Sequence, residues 1–374
     1  MEEVKKYPLF NRDRIVYKLR EDCLRIGAED DDTIEIKSDI SFWLEFIELL
    51  DGTKTVEAIA KQMNQKYGIS LQKTFTFIKQ FERRNLLELL ENEYNADVKM
   101  EYFQSIITYY SSRGLGGVEL LKKLQNIKIT ILGCGGGGSN LALQLCQLGV
   151  GNLHLVDPDV VNCDNINRQA LFTMNDIGQL KVAIAKKVLQ RKNPYINITI
   201  SNNRMNSVAD VKREIQGSNW VFCAMDEPPY IAQRITNKAC IELKIPCLYC
   251  FSQKSAGKMF MVNPRESGCV DCLLKSCDSA DFRKMAGKFL NSKQKLITAN
   301  IYPNITLLCS WIVKKWLDVY CGIEKNPWNK LFRFSFDLFE EKAFVKFKKE
   351  SNCPTCGENN QDTVDDIWEV LKIE

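Results

Sequence analysis

A glycine-rich stretch between two apolar runs constrains this chain more than any other feature of its sequence. The β-branched run at residues 127–132 predicts a strand, and the amphipathic run at residues 141–150 predicts a helix. The cofactor-binding candidates between them are Gly133, Gly135, Gly136 and Gly138. In a strand, turn and helix unit, Gly133 permits a tight turn, Gly135 lets backbone N–H groups approach a phosphate, and Gly138 allows close helix packing. The pattern predicts a nucleotide-binding loop.

Two further strand patterns place acidic residues where such a fold binds its ligands. Residues 152–156 predict a strand ending in Asp157, which lies 24 positions after Gly133, near the place of the ribose-binding acid in a Rossmann unit. Residues 220–224 predict a later buried strand, which Asp226 follows closely. A glycine run alone also suits a plain turn without a ligand, but this context favours a nucleotide. The alternation of strands and helices predicts an α/β fold with a Rossmann-like, mainly parallel sheet.

Length and composition limit the class of protein. A chain of 374 residues predicts two or three domains, and its apolar content of 45% suffices for globular cores. No run approaches the ~18 apolar residues of a membrane helix, and the N-terminus lacks the apolar region of a secretion signal. We therefore expect a cytoplasmic protein without a membrane partner. In that compartment the 15 cysteines favour reduced thiols and metal ligands over disulfides.

Four of those cysteines form two Cys-x-x-Cys pairs. The first pair is Cys269 and Cys272, and the second is Cys353 and Cys356, which Gly357 follows. Each pair can supply two thiolates to one tetrahedral Zn²⁺ ion, and a site with four cysteines leaves no open coordination position. The pairs lie 80 residues apart, so the predicted zinc is structural and joins distant segments. Free thiols in two unrelated turns are a less favoured alternative, and a redox pair is weaker still.

The N-terminal 95 residues predict a separate small α+β domain. Three short strand patterns near residues 14–19, 23–26 and 34–37 precede helical patterns at 42–50, 56–63 and 71–81. This order is typical of a winged helix-turn-helix. The segment carries 15 Lys and Arg residues against 19 Asp and Glu residues, and this net charge of −4 disfavours nucleic acid. Capture of an extended peptide at a strand edge is the better use, with a dimerisation or packing domain as the open alternative.

Four ordered motifs carry a resemblance to a known family. They are Asp157-Pro-Asp159, Asn165-Ile-Asn167-Arg168-Gln169, Asp176-Ile-Gly178-Gln-Leu-Lys181 and Ala224-Met-Asp226. Together with the glycine loop and both cysteine pairs, they resemble the adenylation core of the ThiF, MoeB and ubiquitin-activating superfamily. The resemblance covers residues 121–357 and is more specific than the glycine loop alone.

The resemblance implies a set of ligands for ATP and magnesium. It assigns Asp157 to the ribose hydroxyls, and Asn165, Arg168 and Lys181 to the triphosphate. It assigns Asp226 to Mg²⁺. Asp159 and Gln169 lie in the same motifs and join the nucleotide-binding candidates, while Arg168, Lys181 and Asp226 are the catalytic candidates.

The closest likeness within the superfamily is to its peptide-modifying branch, of the microcin C7 and pantocin A type. That likeness implies a homodimer whose residues 1–95 bind the leader of a ribosomally made precursor peptide. Residues 96–120 would be a helical connection, and 121–374 an adenylation domain with a crossover loop at about 273–300. Residues 298–304 resemble the segment that those enzymes place after this loop. The polar, Lys-rich character of residues 273–300 suits a binding loop or lid, or alternatively a solvated helix and loop.

Three residues raise separate questions. Relatives often carry an arginine before the first strand that reaches the partner subunit's ATP, and this chain has Gln104 there. Either Gln104 suffices, Arg113 substitutes, or the contact is missing. Cys277 could form a thioester, but an ordinary thiol is the better interpretation.

The sequence therefore predicts ATP-dependent and Mg²⁺-dependent adenylation of a peptide carboxylate. Activation of a Glu side chain followed by dehydrative ring closure is the first expectation, in the maturation of a peptide antibiotic. Nucleotide transfer to the peptide C-terminus, adenylation of a sulfur-carrier protein and non-catalytic peptide presentation are the alternatives. An NAD oxidoreductase would rest on the glycine loop alone.

Overall fold

The computed structural model describes residues 5–28, 33–291, 299–358 and 366–373. The chain divides into two compact units, Met1–Leu124 and Gln125–Glu374. The boundary falls near the end of a helix, Gly117–Asn126, which we call α6. Within the described part of the chain, no helix has both the length and the apolar character needed to cross a membrane.

The first unit contains the strands and helices predicted for its N-terminal part. Its elements are β1 (Tyr7–Phe10), β2 (Val16–Arg20), β3 (Cys23–Ile26), β4 (Ile34–Lys37), α1 (Ile40–Leu49), α2 (Val56–Tyr67), α3 (Leu71–Arg83) and β5 (Leu87–Leu90). Strands β2, β3 and β4 form an antiparallel sheet, and β1 pairs with β5. The side chains of Asp39, Thr55 and Ser70 accept hydrogen bonds from the backbone three residues on, so each helix begins where a capping residue stands. The winged-helix prediction is confirmed.

The helices of this unit enclose an aromatic core. The rings of Trp43 and Phe77 lie 4.8 Å apart, and Phe42 and Trp43 meet edge to face at 5.0 Å. Burial of rings of this size is a large source of stability, and the edge contacts add to it. The core accounts for a stable N-terminal module.

Residues 96–120 are mostly helical and pack within the first unit. They form α4 (Val98–Tyr102), α5 (Gln104–Ser112) and the start of α6. Phe103, Ile107 and Val118 are buried against residues of β1 and β5. The second unit thus begins at Gln125, four positions after the predicted 121, because the apolar face of α6 belongs to the first core.

The second unit contains an eight-stranded sheet. Its strands are β6 (Lys128–Leu132), β7 (Asn152–Val156), β8 (Asn197–Ser201), β9 (Trp220–Cys223), β10 (Cys247–Ser252), β11 (Ala256–Val262), β12 (Lys330–Ser335) and β13 (Glu341–Lys346). Their order is β13-β12-β11-β10-β9-β6-β7-β8, parallel from β10 to β8 and antiparallel from β10 to β13. The predicted Rossmann-like, mainly parallel sheet is confirmed.

Helices cover this sheet and connect its strands. They are α7 (Gly136–Gln147), α8 (Lys181–Lys192), α9 (Val208–Ile215), α10 (Ile231–Leu243), α11 (Val270–Ser276), α12 (Ala280–Leu290), α13 (Tyr302–Tyr320) and α14 (Asp366–Val370). The helix α7 begins five residues before the predicted 141, inside the glycine run. In the segment predicted as a crossover loop, residues 280–290 form α12. Residues 292–298, including Thr298 of the resembling segment, lie outside the described residues.

Candidate functional site

The predicted nucleotide residues lie at one edge of the sheet. Strands β6, β7 and β9 are parallel neighbours, and their carboxyl ends lead to the glycine loop, to Asp157 and to Asp226 respectively. The chain runs outward from β6 to β7 and β8, then returns to place β9 on the other side of β6. Ligands of open α/β sheets bind at such a reversal of strand order.

The glycine loop follows β6 and forms the start of α7. Gly133 has a φ of +93°, a conformation that favours glycine. A Cβ atom at Gly138 would lie 1.7 Å from the carbonyl oxygen of Gly133, whereas one at Gly135 would meet no atom within 4 Å. Gly138 thus serves the packing of α7, and Gly135 faces open space at the helix N-terminus, where an anion is favoured.

This difference predicts opposite effects of two alanine substitutions. We expect Gly138→Ala to cost about 2–3 kcal/mol of stability, because the clash is with backbone and no side chain can move aside. We expect Gly135→Ala to melt like the wild type but to bind ATP about tenfold more weakly, because the added methyl group occupies the space a phosphate would enter. Thermal melts and ATP titrations test both. Wild-type ATP affinity in Gly135→Ala would contradict this role of the loop.

Asp157 is buried and bonded to the glycine loop. Its carboxylate accepts hydrogen bonds from the backbone N–H groups of Cys134, at 2.6 Å, and Asp159, at 2.8 Å. Burial raises the pKa of Asp157, and the charge of Lys181 and these two bonds oppose that rise. A carboxylate has about four lone-pair positions. Asp157 therefore fixes the loop and retains the capacity to accept hydroxyl groups.

Lys181 begins α8 and forms an ion pair beside this acid. Its Nζ lies 3.0 Å from Oδ2 of Asp159, and its side chain is only 7% exposed. Arg204, in the loop after β8, lies 3.8 Å from Oδ1 of the same carboxylate. Sequence reasoning missed Arg204 because no motif surrounds it. The three residues place two cations around one exposed acid near the end of β7.

The Asn165 to Gln169 segment is fixed against α7. The backbone N–H of Ala170 donates to Oγ of Ser139 at 3.3 Å. Asn165 is buried, and its Oδ1 accepts from the backbone of Asn162 at 3.1 Å. This anchoring positions the segment at the glycine loop.

Arg168 and Gln169 differ in their present partners. Arg168 bonds to the backbone oxygen of Asp164 and lies 3.4 Å from that residue's carboxylate. Gln169 is 6% exposed, and its Oε1 has no hydrogen-bond partner among the described residues. A buried polar atom without a partner is costly. The amide of Gln169 is therefore suited to a ligand.

Asp226 lies just beyond the carboxyl end of β9 and is exposed to solvent. Partial loss of hydration raises the pKa of its carboxyl group, and the charge of Glu227 raises it further. Asp157 has the same effect and Lys181 the opposite one, so these groups share one electrostatic environment. Crowded carboxylates favour a bound cation. Mg²⁺ suits such a site, because it typically takes one or two carboxylates and completes its shell with water and phosphate oxygens.

His154, the only histidine in the sequence, is engaged in the sheet. Its ring nitrogens lie 2.8 Å from Oγ1 of Thr199 and 2.7 Å from Oε2 of Glu214. Hydrogen bonds from Asn203, His154 and Ser201 hold the pKa of Glu214 below its ordinary value despite burial. The histidine is a packed structural residue, as its position within β7 predicted.

The four predicted zinc ligands come together in the second unit. The Sγ atoms of Cys269, Cys272, Cys353 and Cys356 all lie within 4.8 Å of one another. Two of the distances between pairs are 3.5 Å, and a third is 4.0 Å. Four sulfurs at about 2.3 Å from one tetrahedral ion would stand about 3.8 Å apart. Hydrogen bonds from the neighbouring thiols lower the pKa of Cys272, which favours a thiolate. The donor set fits Zn²⁺.

A buried ion pair supports the cysteine cluster. Arg234 of α10 donates to both oxygens of Asp271, at 2.8 and 3.1 Å, and Oγ1 of Thr355 donates to Asp271 at 2.6 Å. Asp271 lies between the first two cysteines and Thr355 between the second two. The guanidinium also stacks on Trp368, 4.4 Å from the ring centre. Polar contacts thus join both cysteine pairs to the helix that follows the Asp226 loop.

The remaining candidates lie elsewhere. Gln104, in the first unit, accepts from the hydroxyl of Tyr94 at 3.0 Å and donates to Thr108 at 3.2 Å. Arg113 ends α5 and is exposed. Cys277 follows α11 and lies 3.8 Å from Oγ of Ser276. None of these contacts identifies a catalytic role.

The helix α13 also borders the glycine loop. A Cβ atom at Gly136 would lie 3.0 Å from Ile305, and Cys309 lies 3.5 Å from the carbonyl oxygen of Gly137. In the sequence, only the family resemblance pointed to residues 298–304. The contacts show that the start of α13 forms one wall of the loop.

Comparison with known proteins identifies relatives of the chain. The sequence model of the ThiF family matches residues 110–357. The chain is 27% identical to the sulfur carrier protein ThiS adenylyltransferase of Escherichia coli (strain K12) over 245 residues, which cover 65% of this chain and 91% of that protein. It is 26% identical to the adenylyltransferase and sulfurtransferase UBA4 of Saccharomyces cerevisiae (strain RM11-1a) over 256 residues, covering 67% of this chain. It spans 56% of the length of UBA4.

Two solved structures are similar in fold. One is the structure of E. coli MccB with AMPCPP and MccA, which aligns with a TM-score of 0.67 at 19% identity and covers 94% of this chain and 99% of MccB. The other is PaaA, with a TM-score of 0.65 at 19% identity, covering 90% of this chain and 99% of PaaA. At these identities the likeness concerns the fold.

Proposed function

The chain belongs to the ThiF family, and from this premise we propose that it is an ATP-dependent enzyme that adenylates a carboxylate of a ribosomally made precursor peptide. Activation of a Glu side chain, followed by dehydrative ring closure, is the favoured form of the reaction. The observation that carries the proposal is the extent of the likeness to MccB, a microcin C7 biosynthetic enzyme solved in complex with N-formylated MccA. That likeness covers 94% of this chain, whereas the match to the ThiS adenylyltransferase covers 65%.

The first step needs little acid or base chemistry. A carboxylate has an ordinary pKa near ~4 and is ionised at neutral pH. Its oxygen attacks the α-phosphorus of ATP, forming an acyl adenylate while the bond to the leaving pyrophosphate breaks. Negative charge gathers on phosphate oxygens during this step and must be stabilised by cations and backbone N–H groups. The glycine loop, Lys181 and Arg168 supply them.

The other residues orient the nucleotide. Asp157 accepts the ribose hydroxyls, and the amide of Gln169 and the side chain of Asn165 hold phosphate or sugar oxygens. Asp226 would hold Mg²⁺, which when bound neutralises phosphate charge and assists the departure of pyrophosphate. The exposure of Asp226 leaves room for water and phosphate ligands.

In the second step an amide or amine nitrogen of the peptide attacks the acyl adenylate. A C–N bond forms, AMP leaves with the electron pair of the broken C–O bond, and the nitrogen loses a proton. The net change in the peptide is the loss of one water. Nucleotide transfer to the peptide C-terminus would use the same phosphate site and differ in the peptide pocket.

The first unit is the proposed leader-binding module. In the described residues, β2 and β4 each pair only with β3, so each offers an outer edge to an extended peptide. Binding the leader there would raise the effective concentration of the reactive carboxylate at ATP. We further propose a homodimer, as the peptide-modifying branch implies.

The test is incubation with ATP, Mg²⁺ and candidate peptides encoded beside the gene, with nucleotides and peptide mass followed together. We expect AMP and pyrophosphate, with a peptide lighter by one water. A peptide that gains a nucleotide mass would move the assignment to the microcin type of transfer. A truncated peptide without its leader is the matched control and should react more slowly.

The relatives favour one second candidate, adenylation of a sulfur-carrier protein. The chain matches 91% of the length of the ThiS adenylyltransferase. A ubiquitin-like carrier protein in the same assay distinguishes the two. Pyrophosphate release that depends on the carrier and not on any peptide would establish this alternative and contradict the peptide proposal.

A further inference from the structure

Three cations stand in register across the antiparallel end of the sheet. Lys258 of β11 is the cross-strand partner of Arg333 in β12, and Arg333 is the partner of Lys342 in β13. Cross-strand partners project from the same face of a sheet. The three side chains therefore form one row over three adjacent strands, which we call the basic row.

The row has no acidic partner in the described part of the chain. Like charges directly opposite each other destabilise a sheet, yet neither Lys258, Arg333 nor Lys342 forms an ion pair among the described residues. Burial and the charge of Arg333 lower the pKa of Lys258. Asp278, which follows Cys277 in the sequence, does not neutralise the row, because Arg283 already binds it through two contacts of 2.7 Å. The basic row is suited to an external anion.

Aromatic side chains accompany the cations. Phe251 of β10 is the cross-strand partner of Lys258, and the ring of Phe344 lies 5.0 Å from Nζ of Lys258. The side chain of Phe344 is 51% exposed. A large exposed ring such as Phe344 beside cations is typical of surfaces that bind a chain with both apolar and charged groups.

The row leads away from the candidate ATP site. Strand β9 ends near Asp226, β10 follows, and β11, β12 and β13 come next in the sheet. With strands about 4.8 Å apart, Lys258 lies roughly 10 Å from the line of β9 and Lys342 roughly 20 Å from it. An extended peptide advances about 3.3 Å per residue, so about three residues would span the row.

From this arrangement we propose that Lys258, Arg333 and Lys342 bind an acidic segment of the peptide substrate next to the residue that is activated. The inference rests on the proposed function and adds to it the charge of the substrate. The segment crosses the antiparallel strands with its carboxylates on the cations, and it leaves the reacting residue at the Asp226 side.

The experiment measures binding separately from catalysis. Fluorescein-labelled Gly-Glu-Ala-Glu-Ala-Glu-Gly and its twin with Gln at the three Glu positions are titrated with the full chain, without nucleotide, by fluorescence anisotropy. The wild type is compared with the triple variant K258Q/R333Q/K342Q. The control is Lys346→Gln. Lys346 is an exposed cation of the same strand β13, and its partner Lys330 lies three positions from Arg333 in β12, so the irregular register places Lys346 on the other face.

We expect the wild type and Lys346→Gln to bind the Glu peptide about tenfold or more tightly than the Gln peptide, with affinity falling as salt rises. The triple variant should bind both peptides equally. Equal binding of both peptides by the wild type would overturn the inference. So would equally tight binding of a single-stranded oligonucleotide of the same charge, since the row would then be a general polyanion site.

Formation of AMP by the wild type and the triple variant is followed in parallel, with the leader-containing candidate peptides encoded beside the gene. Selective binding without any AMP leaves the basic row standing and counts against the proposed function. If the wild type and the triple variant form AMP at equal rates and with the same KM, the result counts against the basic row alone.

Discussion

Replacing Asp226 with asparagine is expected to lower peptide-dependent pyrophosphate exchange by about a thousandfold while leaving the fold intact. A divalent ion contributes several kcal/mol to stabilising phosphate charge in a transition state, and each 1.36 kcal/mol is a factor of ten in rate. Asn is close to Asp in size but lacks the charge. Because the side chain of Asp226 is exposed, the melting temperature should hardly change. Exchange rates at several Mg²⁺ concentrations and a thermal melt test this.

Glu227→Gln is the matched control. It removes one negative charge from the next residue in the same loop, and Glu227 is one of the groups that raise the pKa of Asp226. If Asp226 acts as a metal ligand, the control should retain exchange within a few-fold and the Asp226 variant should need more Mg²⁺. Equal losses in both variants would mean that the loop contributes only negative charge. Unchanged exchange in Asp226→Asn would contradict the catalytic proposal.

The sequence was most informative where local pattern and tertiary role agree. The β-branched run at 127–132 forms β6 as predicted, and its residues 129–132 are buried between the neighbouring strands β7 and β9. The helix after it was predicted too late. Glycine disfavours helix interiors, but the first residues of a helix can bind a phosphate through their N–H groups, and close packing at Gly138 excludes larger side chains.

Other parts of the fold depend on distant pairing and left no clear pattern. Strand β1 pairs with β5 although almost eighty positions separate them in sequence. The hairpin of β12 and β13 contains charged residues at positions that alternate weakly. Such strands are specified by their neighbours in the sheet more than by their own composition. The register of Lys258 with Arg333 therefore emerged only from the structure.

The residues of the candidate site also divide into those that the sequence predicts and those that only the folded structure reveals. Spacing in the sequence predicted Asp157 and the four cysteines, since Asp157 follows a strand and the cysteines form two short pairs with defined geometry. Lys181 was predicted from the family resemblance. Arg204 was missed because its only signal is proximity to Asp159. The supporting pair of Arg234 and Asp271 was missed as well, because helix α10 and the first cysteine pair meet only in the folded unit.

Loss of zinc is expected to destabilise the second unit strongly. We expect about one equivalent of zinc per chain in the purified protein, and we expect Cys353→Ser to lose it. Structural zinc contributes folding free energy directly, and a loss of several kcal/mol in a domain of this size lowers Tm by about 10 °C or more. Elemental analysis and thermal melts before and after chelation measure both effects. Cys163→Ser is the control, because it makes the same substitution at an exposed thiol outside the cluster.

Removal of zinc should also affect the candidate ATP site, because α10 connects the cysteine cluster to that site. Arg234 binds Asp271 of the cysteine cluster, while the neighbouring Gln233 donates to the backbone oxygen of Met225, beside Asp226, at 2.7 Å. Release of the cysteine pairs leaves the buried Arg234 and Asp271 charges more exposed to water and weakens their hold on the helix. We therefore expect the chelated protein to lose pyrophosphate exchange at temperatures below its melting point. Less than about half an equivalent of zinc, with the same Tm before and after chelation, would contradict the closed four-thiolate site.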